Sequence, residues 1–322
     1  MNVYRDVTAI PRIDGGRAVT IGAFDGVHRG HHELLRLVRE LGRARDLRAT
    51  VVTFDRHPAE VVRPESAPLL LTTLDQKLEL LAETGFVDEC LVLPFDESRS
   101  KEPAEDFVEA VLAGVLRTRI LVVGDDFHFG YRRRGDVALL KRMGADLGFE
   151  VLGLGLVAAP PGEPGAPGAP AYSSTRVREL LALGDVAGAA EVLGRPHEVR
   201  GTVGRGDARG RQLGFPTANV QLPPRLCLPD EGVYAGTLVD AAGVERTAAI
   251  SVGRRATFYA EGGDLLVEAY VLDFDGDLYD QAVRVRFHHR VRGQLRFEGP
   301  DAIDQLVAQM RADVEQVRAL SG

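Results

Sequence analysis

The sequence predicts two domains: an amino-terminal α/β domain built on a doubly wound parallel sheet, then a carboxy-terminal antiparallel β-barrel carrying a terminal helix. Three observations lead there. A chain of 322 residues is long for one hydrophobic core, and 45% apolar residues suffice to fill two. From residue 17 to about 155, β-rich runs alternate with segments of helical period, the pattern of a parallel sheet wrapped by helices. Beyond about residue 195 the runs are strand-like, are separated by turn signals, and end in one amphipathic helix.

Taken in order, RAVTIG is the first strand, and HHELLRLVREL follows with Leu34, Leu37, Val38 and Leu41 at the i, i+3, i+4, i+7 spacing of a buried helix face. ATVVTF, ECLVLPF, RILVVG and FEVLGL read as further strands; LDQKLELLAETG, AEDFVEAVLAGVL and DVALLKRMGADLG read as the helices between them. Residues 158–171, AAPPGEPGAPGAPA, have a linker's composition. The next segment, YSSTRVRELLALG, offers Ser173, Ser174 and Thr175 as helix N-caps and so an anion site that belongs with the first domain, which sets the boundary at 194/195. In the second domain VYAGTLVD, TAAISVG, LLVEAYVLDF and QAVRVRF are strands, with DAAG and FDGD as turns. From Asp301 to Leu320 a helix presents Ile303, Leu306, Val307, Met310, Val314 and Val317 on one side.

Bulk properties exclude several function classes. A net charge of −8 argues against nucleic acid or an anionic membrane held by bulk electrostatics, while leaving small phosphorylated ligands open. Cys90 and Cys227 have no metal-ligand spacing and read as reduced thiols of a cytoplasmic protein. The amino terminus has no apolar signal-peptide core, and nowhere does the chain approach the run of about 18 apolar residues that a membrane helix needs. The only lysines are Lys77, Lys101 and Lys141, and no Gly-Lys-Ser/Thr occurs. Phosphate chemistry must therefore use backbone N–H groups, arginine, histidine or a metal ion rather than a P-loop.

AFDGVHRGHH, residues 23–32, gathers three of the 8 histidines directly behind the first strand. Zinc would require further ligands that neither cysteine supplies in sequence. A core role conflicts with the polar neighbours Asp25, Arg29 and His32. A phosphate role uses more of the segment. Gly26 and Gly30 let backbone approach a ligand, His28 and His31 project from a strand-to-helix turn, and the helix offers its positive end to an anion. In nucleotidyl transfer such donors stabilise the charge gathering on leaving pyrophosphate. Ser174, Thr175 and Arg178 would hold the β and γ phosphates from the opposite side, arginine's fork matching phosphate oxygens. GDDFHFG also follows a strand and so points at the same crevice, although by itself it reads as a β-turn with solvated acids.

GRGDARGRQLGFPTANV, residues 204–220, is glycine-rich and basic, as a plain surface loop is too. Within it Pro216 stiffens the backbone while Thr217 and Asn219 offer two neutral oxygens of the kind Mg²⁺ accepts beside phosphate and water.

HRGH together with SSTRVR resembles the HxGH nucleotidylyltransferase superfamily; GAFDGVHRGH, TFDRHP, VVGDDFHFG and GRPHEVRGTV extend the likeness over nearly the whole chain, to the bacterial bifunctional riboflavin kinase and FAD synthetase family. The resemblance implies an FMN adenylyltransferase domain at 1–194 and a riboflavin kinase domain at 195–322, with riboflavin, FMN, FAD and ATP as ligands and Mg²⁺ as the metal. It implies an ATP site at Gly22, Phe24, Asp25, His28, Gly30 and His31, catalysis by the two histidines, and FMN contacts at Asp125, Asp126 and Phe127. In the kinase half it implies nucleotide contacts at Gly206, Gly214, Thr217 and Asn219, the last two also holding the metal. Glu268 interrupts the apolar strand LLVEAYVLDF. It suits either a solvent-facing edge position or a general base, and the family has its base there. The chain departs from the family pattern at Arg255, Ala256 and Thr257, where Asn-Pro-Thr is usual, at Asp280, where glycine is usual, and in EGGDLL, which lacks a customary arginine. A paralogue confined to nucleotidyl transfer and a non-catalytic flavin-binding regulator are the rival readings.

Overall fold

The computed structural model describes residues 1–155, 171–205, 213–254 and 265–321. The chain divides into two compact units, Met1–Ser174 and Thr175–Gly322.

The first unit is a six-stranded, all-parallel sheet of β1 (Asn2–Tyr4), β2 (Arg17–Ile21), β3 (Arg48–Phe54), β4 (Glu89–Leu93), β5 (Thr118–Gly124) and β6 (Glu150–Leu154), in the order β1-β4-β3-β2-β5-β6. The chain runs from β2 outward through β3 and β4, then returns to lay β5 against the other side of β2. The switch point therefore lies between β2 and β5, where an open α/β sheet opens its ligand crevice. Strand residues alternate between two cores, as period-2 geometry demands. Val19, Ile21, Leu91, Leu121 and Val123 pack with Phe107, Leu112 and Leu140. Ala18, Val51, Cys90, Val92 and Val122 face Leu35, Val38, Leu78 and Leu81 on the opposite side.

The helices of this unit are α1 (Arg29–Ala44), α2 (Pro58–Val62), α3 (Leu74–Glu83), α4 (Glu97–Ser100), α5 (Ala104–Phe107) and α6 (Val137–Leu147). Local signals explain their starts. Thr73 and Gln76 form a capping box at α3, and Asp136 caps α6 through the Leu139 N–H. Gly148, in the left-handed region, stops α6. The helix expected over AEDFVEAVLAGVL opens as α5 and continues over Val108–Val115 with wider turns, Leu116 N–H donating to the Val111 carbonyl five residues back. Periodicity does not flag β1, because three residues at a sheet edge are too few to show a period.

The second unit begins with α7 (Ser174–Ala182, its first residue belonging to unit 1) and α8 (Val186–Leu193), followed by β7 (His197–Gly204), β8 (Ala218–Gln221), β9 (Gly232–Val239), β10 (Glu245–Arg254), β11 (Leu265–Val271) and β12 (Ala282–Gly293). These six strands close an antiparallel barrel in the order β10-β11-β8-β7-β12-β9. Its interior is Val199, Val220, Leu238, Ile250, Val267, Ala269, Val285 and Phe287, all buried. The DAAG turn forms as expected, with Asp240 accepting from the Ala242 and Val244 N–H groups. β12 runs on to Gly293 through two register shifts, between Phe287 and His289 and between Arg290 and Arg292.

The terminal helix α9 (Ala302–Ser321) lies on the barrel's outer face by its later turns. Val317 meets Ala235 and Leu272, and the buried Asp313 takes both arms of the Arg292 guanidinium. Ile303 was expected on this packed face, yet it is 65% exposed, because the anchoring contacts come from Asp313 and Val317, more than two turns further along the helix.

Candidate active sites

At the switch point the chain leaves β2 and turns through residues 22–28 into α1, with His28 in extended backbone as the N-cap. Two non-glycine residues in this turn take left-handed conformations, Phe24 (φ 50°) and the β-branched Val27 (φ 39°). Each such conformation costs about 1–3 kcal/mol and persists only where surrounding structure enforces it. The consequence is a turn folded back on itself. His28 and His31 stack at 3.7 Å between centroids, and Phe24 lies 5.0 Å from His31. The sequence suggested imidazoles projecting among polar neighbours; instead His28 is only 6% exposed and Asp25 is equally buried.

Hydrogen bonds explain how Asp25 tolerates burial. Its carboxylate accepts the N–H groups of Leu71 and Thr72 at 3.0 and 3.1 Å and the Thr72 hydroxyl at 3.2 Å, and Gly26 N–H donates to that same hydroxyl oxygen. The Ser174 hydroxyl donates to the Asp25 carbonyl at 2.8 Å, so the start of the SSTRVR motif is tied to the HRGH turn. A Cβ on Gly30 would stand 3.0 Å from the Tyr172 carbonyl and 3.1 Å from the His28 ring, so this spacer has to be small. Gly22 donates to the Val52 carbonyl and lies beneath the Phe24 ring. In the second unit, Thr175 is exposed and Arg178 half-buried on α7. Among the described residues no three His, Cys, Asp or Glu side chains gather as a metal cluster. Cys90 lies in the core, where burial pushes its thiol pKa up to about 12 and leaves it inert.

Beyond β5, Gly124 to Phe127 form a turn closed by the Phe127 N–H and the Gly124 carbonyl. Asp125 and Asp126 are exposed, while Phe127 stacks on Phe129 at 5.5 Å and packs on the core. Two carboxylates and an aromatic ring therefore stand at the carboxyl end of β5, the strand next to β2, with Asp125 donating its N–H to the Leu154 carbonyl of β6.

In the barrel the decisive feature is register. Asn219 on β8 stands opposite Glu268 on β11, and Glu268 opposite Ser251 on β10. Directly opposed residues hold their Cβ atoms about 4.5–5.5 Å apart. Val267, Ala269 and Val271 fill the interior, so Glu268 is half-buried on the outer face. It keeps the strand's alternation rather than breaking it. Thr217 precedes β8 by one residue, and Gly214 nearby adopts φ 86°. Gly206 lies outside the described residues.

Family models match the two halves separately: FAD synthetase over residues 10–159 and riboflavin kinase over residues 193–321. A bifunctional riboflavin kinase/FMN adenylyltransferase of Escherichia coli K12 is 37% identical over 307 residues, covering 95% of this chain and 93% of its own. The chain belongs to the bifunctional riboflavin kinase/FMN adenylyltransferase family. The Haemophilus influenzae member is 34% identical over 319 residues, 99% of each chain. A crystal structure from Streptococcus pneumoniae, described as a macrolide-efflux protein, is similar with a TM-score of 0.82 and 31% identity over 98% of both chains. Among the described residues of the present chain no helix is long and apolar enough to cross a membrane. The paired domains imply use of ATP and of a divalent metal.

One of the departures noted in the sequence falls on described residues. Asp280 adopts φ 61° and donates its N–H to the Val203 carbonyl; aspartate is among the few side chains that tolerate this region. Arg255, Ala256 and Thr257, and the EGGD of EGGDLL, lie outside the described residues. Sequence reasoning also missed Lys77 and Thr72, which fasten the HRGH turn. The signal was present for one of them. Lys77 falls on the same i, i+3, i+4, i+7 face as Leu74, Leu78 and Leu81, where an unmatched lysine is out of place.

Proposed function

We propose that this chain makes FAD in two steps at two separate sites, the HRGH turn adenylylating FMN and the outer face of the barrel phosphorylating riboflavin. What supports the division is that the HRGH turn is fastened within the first unit, by Thr72 and Ser174, and the barrel pair is set within the second, by β8–β11 register.

In adenylyl transfer a phosphate oxygen of FMN forms a bond to the α-phosphorus of ATP as the bond to the α,β-bridging oxygen breaks, and pyrophosphate leaves. His28 and His31 would donate to the phosphate oxygens that gain charge, assisted by the amino-terminal end of α1. Gly22, Phe24, Asp25 and Gly30 shape this site, and Asp125, Asp126 and Phe127 receive the flavin. Thr175 and Arg178 stand as proposals from the motif for the outer phosphates, and the functional boundary is proposed at 194/195.

In the kinase step Glu268 would take the proton of the ribityl 5′-hydroxyl, whose oxygen attacks the γ-phosphorus, releasing ADP. Thr217 and Asn219 supply neutral oxygens, a donor set that fits Mg²⁺; when bound, the ion would neutralise phosphate charge. Gly206 and Gly214 would approach the nucleotide. We place the enzyme in the cytoplasm. Incubating the purified chain with riboflavin, ATP and Mg²⁺ and separating the flavins tests all of this: FAD is the expected product. FAD from FMN but nothing from riboflavin would indicate a barrel that has lost its kinase step, and bound flavin without turnover a regulator.

A further inference from the structure

Lys77 lies on the buried face of α3, only 7% exposed, beneath the carboxyl ends of β2 and β3. Its ammonium donates to the Ala23 carbonyl at 3.1 Å, the Thr53 hydroxyl at 3.1 Å and the Phe54 carbonyl at 3.0 Å. Three donors meet three acceptors, which is the full capacity of a lysine head. Leu78 and Leu81 already supply the helix's apolar contacts, so packing alone does not explain a charge here. Burial pushes the lysine's pKa down, and the charge of Asp25 opposes that shift.

The acceptors are informative. Ala23 immediately precedes Phe24, whose left-handed backbone starts the folded turn; Thr53 and Phe54 end the neighbouring strand. In the opposite direction Asp25 reaches out of the turn to the N–H groups of Leu71 and Thr72, the segment leading into α3. One bond set runs from α3 to the turn and the other from the turn to the α3 approach, a reciprocal clasp at Ala23 and Asp25, on either side of the strained Phe24.

We propose that Lys77 is a positioning residue for adenylyl transfer, its ammonium pinning the Ala23–His31 turn so that His28 and His31 are held stacked in the orientation that meets the transferring phosphates. The proposal rests on the HRGH turn being the adenylyl-transfer site.

The test uses the full chain, with FMN-to-FAD conversion and riboflavin phosphorylation measured on each variant. Lys77→Met should lower kcat for adenylyl transfer about 100-fold, the scale of an ångström-level misplacement, with KM for ATP changed less than about threefold. Riboflavin phosphorylation should be unchanged. The NMR resonances of His28 and His31 should shift, while those of the barrel histidine His197 stay in place. Leu78→Ala, on the same buried helix face, should lower the melting temperature and leave kcat within about threefold. A kcat in Lys77→Met within threefold of the parent, or a Leu78→Ala variant that reproduces the kcat loss, overturns the proposal. Should Lys77→Met not fold, Lys77→Gln, which retains a donor, carries the same comparison. His31→Ala separates this proposal from the site assignment. Full FMN-to-FAD activity in that variant sinks the assignment itself, whatever Lys77 does.

Discussion

The two units solve the problem of holding polar groups in different ways. In the parallel-sheet unit the side chains proposed for catalysis lie beyond the strands, in a turn with two strained residues that is fastened by bonds to the distant Thr72, Lys77 and Ser174. In the barrel the proposed pair sits on the strands themselves, and Asn219 stands opposite Glu268 because ladder hydrogen bonds set their register. A strand-borne site inherits its precision from the sheet, whereas a turn-borne site needs its own supporting network. The first should therefore be robust to loss of surrounding polar groups, and the second fragile.

The sharpest break between them is chemical. Glu268→Gln should lower FMN formation by about 10²–10⁴-fold, the usual worth of a general base, while FMN-to-FAD conversion proceeds unchanged. His31→Ala should do the reverse, by about 10²–10³-fold on the adenylyl step. Loss of both activities in either variant would erase the distinction between the sites.

Fragility can be measured directly. Asp25→Ala would leave the buried Leu71 and Thr72 donors without their acceptor, at about 1–3 kcal/mol for each unsatisfied group, read as a lower denaturation midpoint together with lost adenylyl transfer. Asn219→Ala, on the barrel's outer face, should stop phosphorylation at a stability cost below about 1 kcal/mol.

A smaller effect concerns Asp280. Replacing it by glycine removes a side chain from a left-handed position and should raise barrel stability by about 0.5–1 kcal/mol, with the melting temperature as readout. The smallest is a pH effect. Burial pushes the Glu198 carboxyl up, but hydrogen bonds from Arg286 and Arg200 outweigh it, and the net pKa is lowered. A carboxylate whose folded pKa is depressed stabilises the fold above its unfolded pKa, about 4.3, and that contribution disappears as pH falls through the folded value. Melts of the parent and Glu198→Gln should therefore differ at pH 7 and converge as pH falls through the depressed folded value.

Much of the fold was legible because hydrophobic period is a local property. Alternating segments gave the parallel sheet, and the HRGH and GDDFHFG segments were read at strand ends, where β2 and β5 now flank the switch point. Two barrel strands escaped for the same reason. β8 spans only four residues, and the eight-residue β7, HEVRGTVG, buries Val199 and Val203 but interrupts its pattern with glycines and charges. A strand of four residues behind a glycine-rich stretch is too short to show a period.

By itself the sequence determined the fold class, the order of the two domains and the residue types gathered at each site, since periodicity, turn chemistry and motif spacing act between near neighbours. Only the tertiary structure decided which polar groups meet. Asp25 finds its acceptor role 46 residues away at Leu71, and Lys77 reaches back 54 residues to Ala23. Asn219 faces Glu268 only because the barrel closes in one register. A buried polar group must find a partner wherever the fold brings one, and that choice belongs to three-dimensional packing rather than to any stretch of chain.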